Sequence, residues 1–398
     1  MYHPDAFQWT CAHTDEQTGA RAGILHTPRG AIATPVFMPV GTQAAVKTLA
    51  SAEVAELGAE IILGNTYHLF LRPGDHLIER FGGLHRFMNW RRPILTDSGG
   101  FQVWSLHDQR TIDDDGVTFR SHLDGSTHRF TPERVMEIQA RIGADIVMAF
   151  DECSAYGATK AYAEAAMDRT HRWLERCITA HNGTSQALFG IVQGNVFPDL
   201  REQSAAFVAA QPVSGFGIGG LSVGEPKTEM YGILATTTAA LPTDRPRYLM
   251  GVGSPEDLIE CIDRGVDMFD CVLPTRLGRH GAVWTPTGRI NLLNARWSED
   301  DQPIEQGCDC LACRHYSRAY LRHLFRAEEA LGPRLASLHN VRFLIRLMQQ
   351  AREAILEDRF ASFRDDFLRT FAVVPESVRA AQREKYGRRR ERETAVHA

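Results

Sequence analysis

The segment Val266-Asp267-Met268-Phe269-Asp270-Cys271-Val272-Leu273-Pro274 decides how the chain is read. It is short and apolar, bounded by Gly265 and Pro274, which predicts a buried strand. Seven similar runs precede it, at 34–40, 60–64, 93–98, 145–151, 187–194, 215–220 and 248–253. Several of the gaps between them carry helix signals. Ser254 offers an N-cap, Pro255 the first helical position and Asp257 an acid at the third, ahead of Leu258, Ile259 and Ile262. Thr131-Pro132-Glu133 opens another helix, with Val135, Met136, Ile138 and Ile142 on its face and Gly143 as its stop. Eight buried strands alternating with helices predict an α/β fold, a parallel (β/α)8 TIM barrel. The alternative is a doubly wound open sheet, but no glycine-rich phosphate loop follows the first strand.

Around this frame the sequence adds three parts. Residues 1–32 read as a small β extension, so that 1–300 form the catalytic barrel domain. Between 103 and 130 the pattern alternates on either side of Asp124-Gly125, which predicts a β-hairpin inserted in the barrel. Beyond 300 a cysteine cluster marks a subdomain over 301–345. Residues 346–398 read as helices completing the barrel, then a basic tail running from Arg383 to Arg392. An amphipathic helix is expected from Asn340 onward, with Val341, Leu344, Ile345 and Met348 on one face.

The composition is that of an ordinary soluble protein, 43% apolar and 23% charged over 398 residues. No run of about 18 uncharged apolar residues predicts a membrane span, and the first residues lack a signal-peptide pattern. Eight cysteines in a chain this long point to a reducing, cytoplasmic setting rather than a disulfide scaffold. A net charge of −5 excludes a polycation, while a local basic patch still allows nucleic acid as partner.

In a barrel, chemistry gathers where strands end. Asp270 lies within a strand, and a buried carboxylate is costly unless it is paired or used. Pro274, Gly278, Arg276 and Arg279 after it read as a loop suited to an anionic ligand. Other runs end in Asp97-Ser98-Gly99-Gly100-Phe101-Gln102, Asp151-Glu152-Cys153, Gln193-Gly194, Gly219-Gly220-Leu221 and Met250-Gly251. Singly, Asp97 reads as a turn residue, Gln193 as a loop hydrogen bonder and Gly220 as a tight bend. Together they describe a rim where backbone amides can approach a flat ligand. Two aspartates fit substitution at a sugar carbon, one attacking C1′ and one moving the proton of the departing group. An Asp with a Gln also suits the edge of a purine.

Cys308, Cys310 and Cys313 bring three thiolates into one loop, the spacing of a structural zinc site in want of a fourth ligand. His315 is too near Cys313 to reach without strain. His323 and His339 remain, and His339 stands before the expected helix start at Asn340, where a rigid element can present it.

These motifs, with Asn65-Thr66-Tyr67-His68-Leu69 and Phe269-Asp270-Cys271-Val272-Leu273-Pro274-Thr275-Arg276, resemble those of the bacterial tRNA-guanine transglycosylases along nearly the whole chain. The resemblance implies exchange of the wobble guanine of GUN-anticodon tRNAs (the Asp, Asn, His and Tyr isoacceptors) for a 7-deazaguanine base. Asp270 would be the nucleophile at C1′ and Asp97 the general acid/base. Ser98, Gly99 and Gly100 would line the base site. Asp151, Gln193, Gly220 and Leu221 would read the base edge, and Phe101 and Met250 would sandwich its ring. Many relatives carry Tyr at the position of Phe101. Cys153 and Val223 match the form that takes 7-aminomethyl-7-deazaguanine. Gly251, Val252, Gly253, Ser254, Pro255, Glu256 and Asp257, with Thr275, Arg276, Leu277, Gly278 and Arg279, would touch the anticodon stem-loop. His339 would complete a structural Zn2+ site, one per subunit, of a homodimer built partly on the zinc region. Two other readings use the same fold: a tRNA-binding subunit without catalysis, which would be expected to lack Asp97 or Asp270, and a barrel hydrolase of small nucleosides.

Overall fold

The computed structural model describes residues 6–105, 110–181 and 183–374. All eight apolar runs are strands of one closed parallel barrel. They are β1 (Val36–Gly41), β2 (Ile62–Asn65), β3 (Ile94–Asp97), β4 (Ile146–Met148), β5 (Ala187–Val192), β6 (Gly215–Ile218), β7 (Arg247–Leu249) and β8 (Met268–Cys271). The last strand closes on the first, with Phe269 opposite Phe37 and Asp270 opposite Met38. Most strand residues are buried on both faces, which is why the runs are continuously apolar rather than alternating.

The inward side chains, among them Met38, Leu63, Leu95, Met148, Phe189, Ile191, Tyr248 and Met268, form one apolar cluster. Leu25 and Ile32 continue it from an antiparallel sheet of Gln8–Thr14, Arg21–Thr27 and Gly30–Thr34. The amino-terminal β extension therefore plugs the barrel interior. Outside lie α1 (Pro132–Ile142), α2 (Lys160–His181), α3 (Pro198–Ala209), α4 (Pro255–Asp263), α5 (Leu273–Arg279) and α6 (Leu331–Leu356), with shorter helices between. At α1 the expected signals act as read: the Thr131 side chain accepts from Arg134 N, and Gly143 ends the helix at φ +74.

One expectation is extended and two are corrected. The inserted hairpin is present, Gly116–Arg120 pairing antiparallel with Thr127–Phe130, and Arg110–Asp113 precedes it to make a three-stranded sheet. Its first strand is polar and half-exposed, so it lacks the apolar alternation that marks a strand, and Asp113 takes the turn by accepting from Asp115 N and Gly116 N. The arginine-bearing loop after Asp270 is the helix α5, with Pro274 in its first turn. The helix expected from Asn340 begins at Leu331, and Asn340 is not a cap. Its side chain accepts from Trp284 N and donates to the carbonyls of Pro274 and Ala282. A boundary after residue 345 would fall inside α6. The basic tail lies outside the described residues.

Candidate active site

Strands β3 to β8 end around one pocket of about 320 Å³, within the range of small-molecule sites. Asp97 to Gln102, Asp151, Cys153, Gln193, Gly219 to Val223, Met250, Gly251, Asp270 and Arg276 all line it. The rim groups read from the sequence are thus in one place.

Asp270 leaves β8 facing the pocket. Its Oδ1 accepts from the Tyr248 hydroxyl at 2.7 Å and from Gly251 N at 2.6 Å, while Oδ2 has no partner among the described residues. Burial pushes the carboxyl above its ordinary range, and those two donors counteract it. Asp97 ends β3, one strand from Asn65 in register. Asn65 Nδ2 donates to Asp97 Oδ2 at 2.6 Å, and Thr66 N and Gly99 N donate to Oδ1 at 3.2 Å each. Asn65 cannot turn over, because its Oδ1 already accepts from His68 N at 2.9 Å as the cap of a short helix. Burial foremost, and the charge of Asp270 in addition, push Asp97 up to about 7 against these donors. The two carboxylates are therefore distinct, one anchored and open at one oxygen, the other poised to hold or release a proton near neutrality.

Asp151 forms the floor. Ser98 Oγ donates to its Oδ1 at 3.1 Å and Gln193 Nε2 to its Oδ2 at 2.7 Å. Burial raises it to about 6, with the neighbouring Glu152 charge adding to the rise. Gly100 is fixed by crowding, since a Cβ there would lie 2.6 Å from the Asp151 carbonyl. The Cys153 thiol is pushed up to about 12 by burial and is neutral. Phe101 is exposed at the mouth, and Met250 is half-buried across the same pocket.

The two segments expected at RNA are mostly not at the surface. Of 251–257, Gly251 is exposed and Ser254 and Asp257 are half-buried; Val252, Gly253, Pro255 and Glu256 are buried. Lys227 Nζ lies 3.0 Å from Glu256 and also contacts Asp257, so neither carboxylate faces outward as a bare charge. Ser254 Oγ donates to Asp257 Oδ2 at 2.5 Å instead of capping α4. In α5, Arg276 is exposed, Leu277 and Arg279 are half-buried, and Thr275 and Gly278 are buried. Gly278 is a packing glycine, because a Cβ would sit 2.5 Å from Ser337 N of α6.

Cys308, Cys310, Cys313 and His339 come together with their ligand atoms within 4.8 Å of one another, all buried. His339 sits in mid-helix. Its Nε2 is 2.7 Å from the Trp284 carbonyl, which can only accept, so the proton is on Nε2 and Nδ1 is free to ligate. The three sulfurs lie 3.8, 3.6 and 3.3 Å from Nδ1. Tetrahedral zinc would set sulfur and nitrogen about 3.6 Å apart. The group fits a metal ion, and its donor set is that of zinc. His315 and His323 lie outside the group.

Sequence reasoning did not find Tyr248, Asn65 or Lys227 as partners of these groups. Tyr248 was legible in principle: a tyrosine inside an apolar strand needs an acceptor for its hydroxyl.

Fold and pocket define a (β/α)8 enzyme with two unlike carboxylates at its rim. A family profile described as Queuine tRNA-ribosyltransferase matches residues 15–373. A queuine tRNA-ribosyltransferase of Herpetosiphon aurantiacus is 64% identical over 377 residues, 95% of this chain and 96% of the relative. One from Desulforamulus reducens is 58% identical, covering 90% and 96%. One from Symbiobacterium thermophilum is 58% identical, covering 91% of each. The chain belongs to the queuine tRNA-ribosyltransferase family, whose members are tRNA-guanine transglycosylases. No helix among the described residues is long and apolar enough to cross a membrane.

Proposed function

We propose that the protein exchanges the wobble guanine of GUN-anticodon tRNAs for 7-aminomethyl-7-deazaguanine, in queuosine biosynthesis, through a covalent Asp270–ribose intermediate. Asp270 Oδ2 attacks C1′ as the C1′–N9 bond breaks, and guanine departs with a proton from Asp97. The incoming base returns its N9 proton to Asp97 and attacks C1′, breaking the ester to Asp270. Two inversions retain the configuration. The observation that carries this reading is the pairing of an Asp270 oxygen left open to the pocket with an Asp97 held near 7 beside it.

In the same reading Asp151, Gln193, Gly220 and Leu221 read the base edge. Ser98, Gly99 and Gly100 line the base site, and Phe101 and Met250 cover the two ring faces. Cys153 and Val223 border the pocket where a 7-substituent would lie. The anticodon loops of the Asp, Asn, His and Tyr tRNAs meet Gly251, Ser254 and Asp257 and the outer face of α5, with Arg276 outermost, and the reaction is cytoplasmic. One Zn2+ per chain is held by Cys308, Cys310, Cys313 and His339, away from the reacting atoms. Its role is structural, since four protein ligands leave it no open position. The exposed Leu311 and Tyr320, with Tyr316 stacked on Tyr320 at 5.3 Å, support a homodimer formed on the zinc region, which light scattering would read as twice the chain mass.

Incorporation of labelled guanine into unmodified tRNA tests the exchange. The wild type should exchange and Asp270→Asn should not. Binding of tRNA without exchange in both proteins would instead favour the accessory subunit.

A further inference from the structure

We propose that Arg201 is a positioning residue that locks the Gly219–Gly220 peptide with its N–H turned into the base pocket. The inference deepens the base-exchange reading and rests on it.

Arg201 stands in the first turn of α3 and is fully buried. A buried guanidinium is ordinarily matched by a carboxylate, yet every hydrogen bond Arg201 makes among the described residues goes to a main-chain carbonyl, and Nη2 has no partner there. Nε donates to Asn195 O at 2.7 Å, and Nη1 donates to Gly219 O at 2.8 Å and to Val192 O at 3.2 Å. Val192 ends β5 and Gly219 directly follows β6, so one side chain ties the rims of two neighbouring strands. Burial pulls the guanidinium down to about 10, which leaves it charged at neutral pH.

The direction of the pull is what matters for the pocket. In a planar trans peptide the C=O and the following N–H point opposite ways. With Gly219 O drawn onto Arg201 behind the wall, Gly220 N–H must face forward. Gly220 and Cys153 line the same pocket there. The main chain tolerates this only as glycine. Gly220 has φ +66, and a Cβ there would fall 2.5 Å from Gln193 Oε1 and 3.4 Å from Arg201 Nη2. A donor fixed before the base arrives needs no reorganisation when the base's carbonyl takes it. A charged donor also holds a carbonyl more firmly than a neutral one.

The test is guanine exchange by the full-length protein, with KM measured separately for guanine and for tRNA. Arg201→Met should raise KM for guanine about tenfold while KM for tRNA stays within about twofold, and Arg201→Lys should recover part of the loss. KM values rising in parallel, or an unchanged KM for guanine, would overturn the assignment. If Arg201→Met does not fold, Arg201→Lys decides on the same ratio. Absence of exchange in the wild type removes the base-exchange reading and this inference with it. Exchange with an unaltered KM for guanine in the variants removes the inference alone.

Discussion

In the proposed reaction Asp97 is the residue on which both chemistry and stability turn. Its carboxyl is raised to about 7, from an ordinary value near 4, chiefly by burial. A raised acid contributes stability below its unfolded value and loses it as pH rises through its folded value. Wild-type protein at pH 8 therefore carries an ionised carboxylate that the fold disfavours. Between pH 5 and pH 8 the wild type should lose Tm by differential scanning calorimetry and Asp97→Asn should lose less. The same variant should lose exchange by ~10²-fold or more, the share usual for a proton-transferring group. In the proposed mechanism the departing guanine takes its proton from Asp97. The kcat/KM for tRNA should then fall above about pH 7, and a profile flat from pH 6 to 9 would exclude Asp97 as that acid. Because Asp270 raises Asp97, the ionisation belongs to the pair.

At the scale of elements, the segment carrying Cys308, Cys310 and Cys313 matters through α6. His339 gives one face of that helix to the metal group, while Ser337 and Asn340 of the same helix clasp α5 through Gly278 and the Pro274 carbonyl. Removing the metal by dialysis against a strong chelator should lower Tm by on the order of 10 °C. It should also raise KM for tRNA before KM for the base, because α5 carries Arg276 while the base floor is built on other strands. A chelated protein with unchanged Tm would show that the four groups hold no ion. The elements also mark what the sequence could disclose. Strands buried on both faces write continuous apolar runs, so β1 to β8 were legible, as were Asp97 and Asp270 at strand ends. Tyr248 on Asp270 and Asn65 on Asp97 were not, because those bonds arise from register between strands 22 and 32 residues apart. Arg110–Asp113 and the start of α6 were hidden by polar residues whose side chains serve turns and tertiary carbonyls rather than the local pattern.

For the whole molecule, a net charge of −5 makes general attraction to RNA a poor explanation of binding. Contact must be local, and Arg276 is its most exposed cation among the pocket residues. Arg276→Ala should raise KM for tRNA about fivefold at moderate salt, leave KM for guanine unaltered, and reduce the slope of log affinity against log salt by about 1. An unchanged slope would move the phosphate contact elsewhere. The closing of β8 on β1 has a consequence in time as well as in space. A ribosome delivers the chain from its amino end, so β1 to β7 emerge before Asp270, the nucleophile of the proposed reaction. Until residues 268–271 are made and seated beside residues 36–39, a growing chain has the walls of the pocket without Asp270, and on the proposed mechanism it exchanges no base.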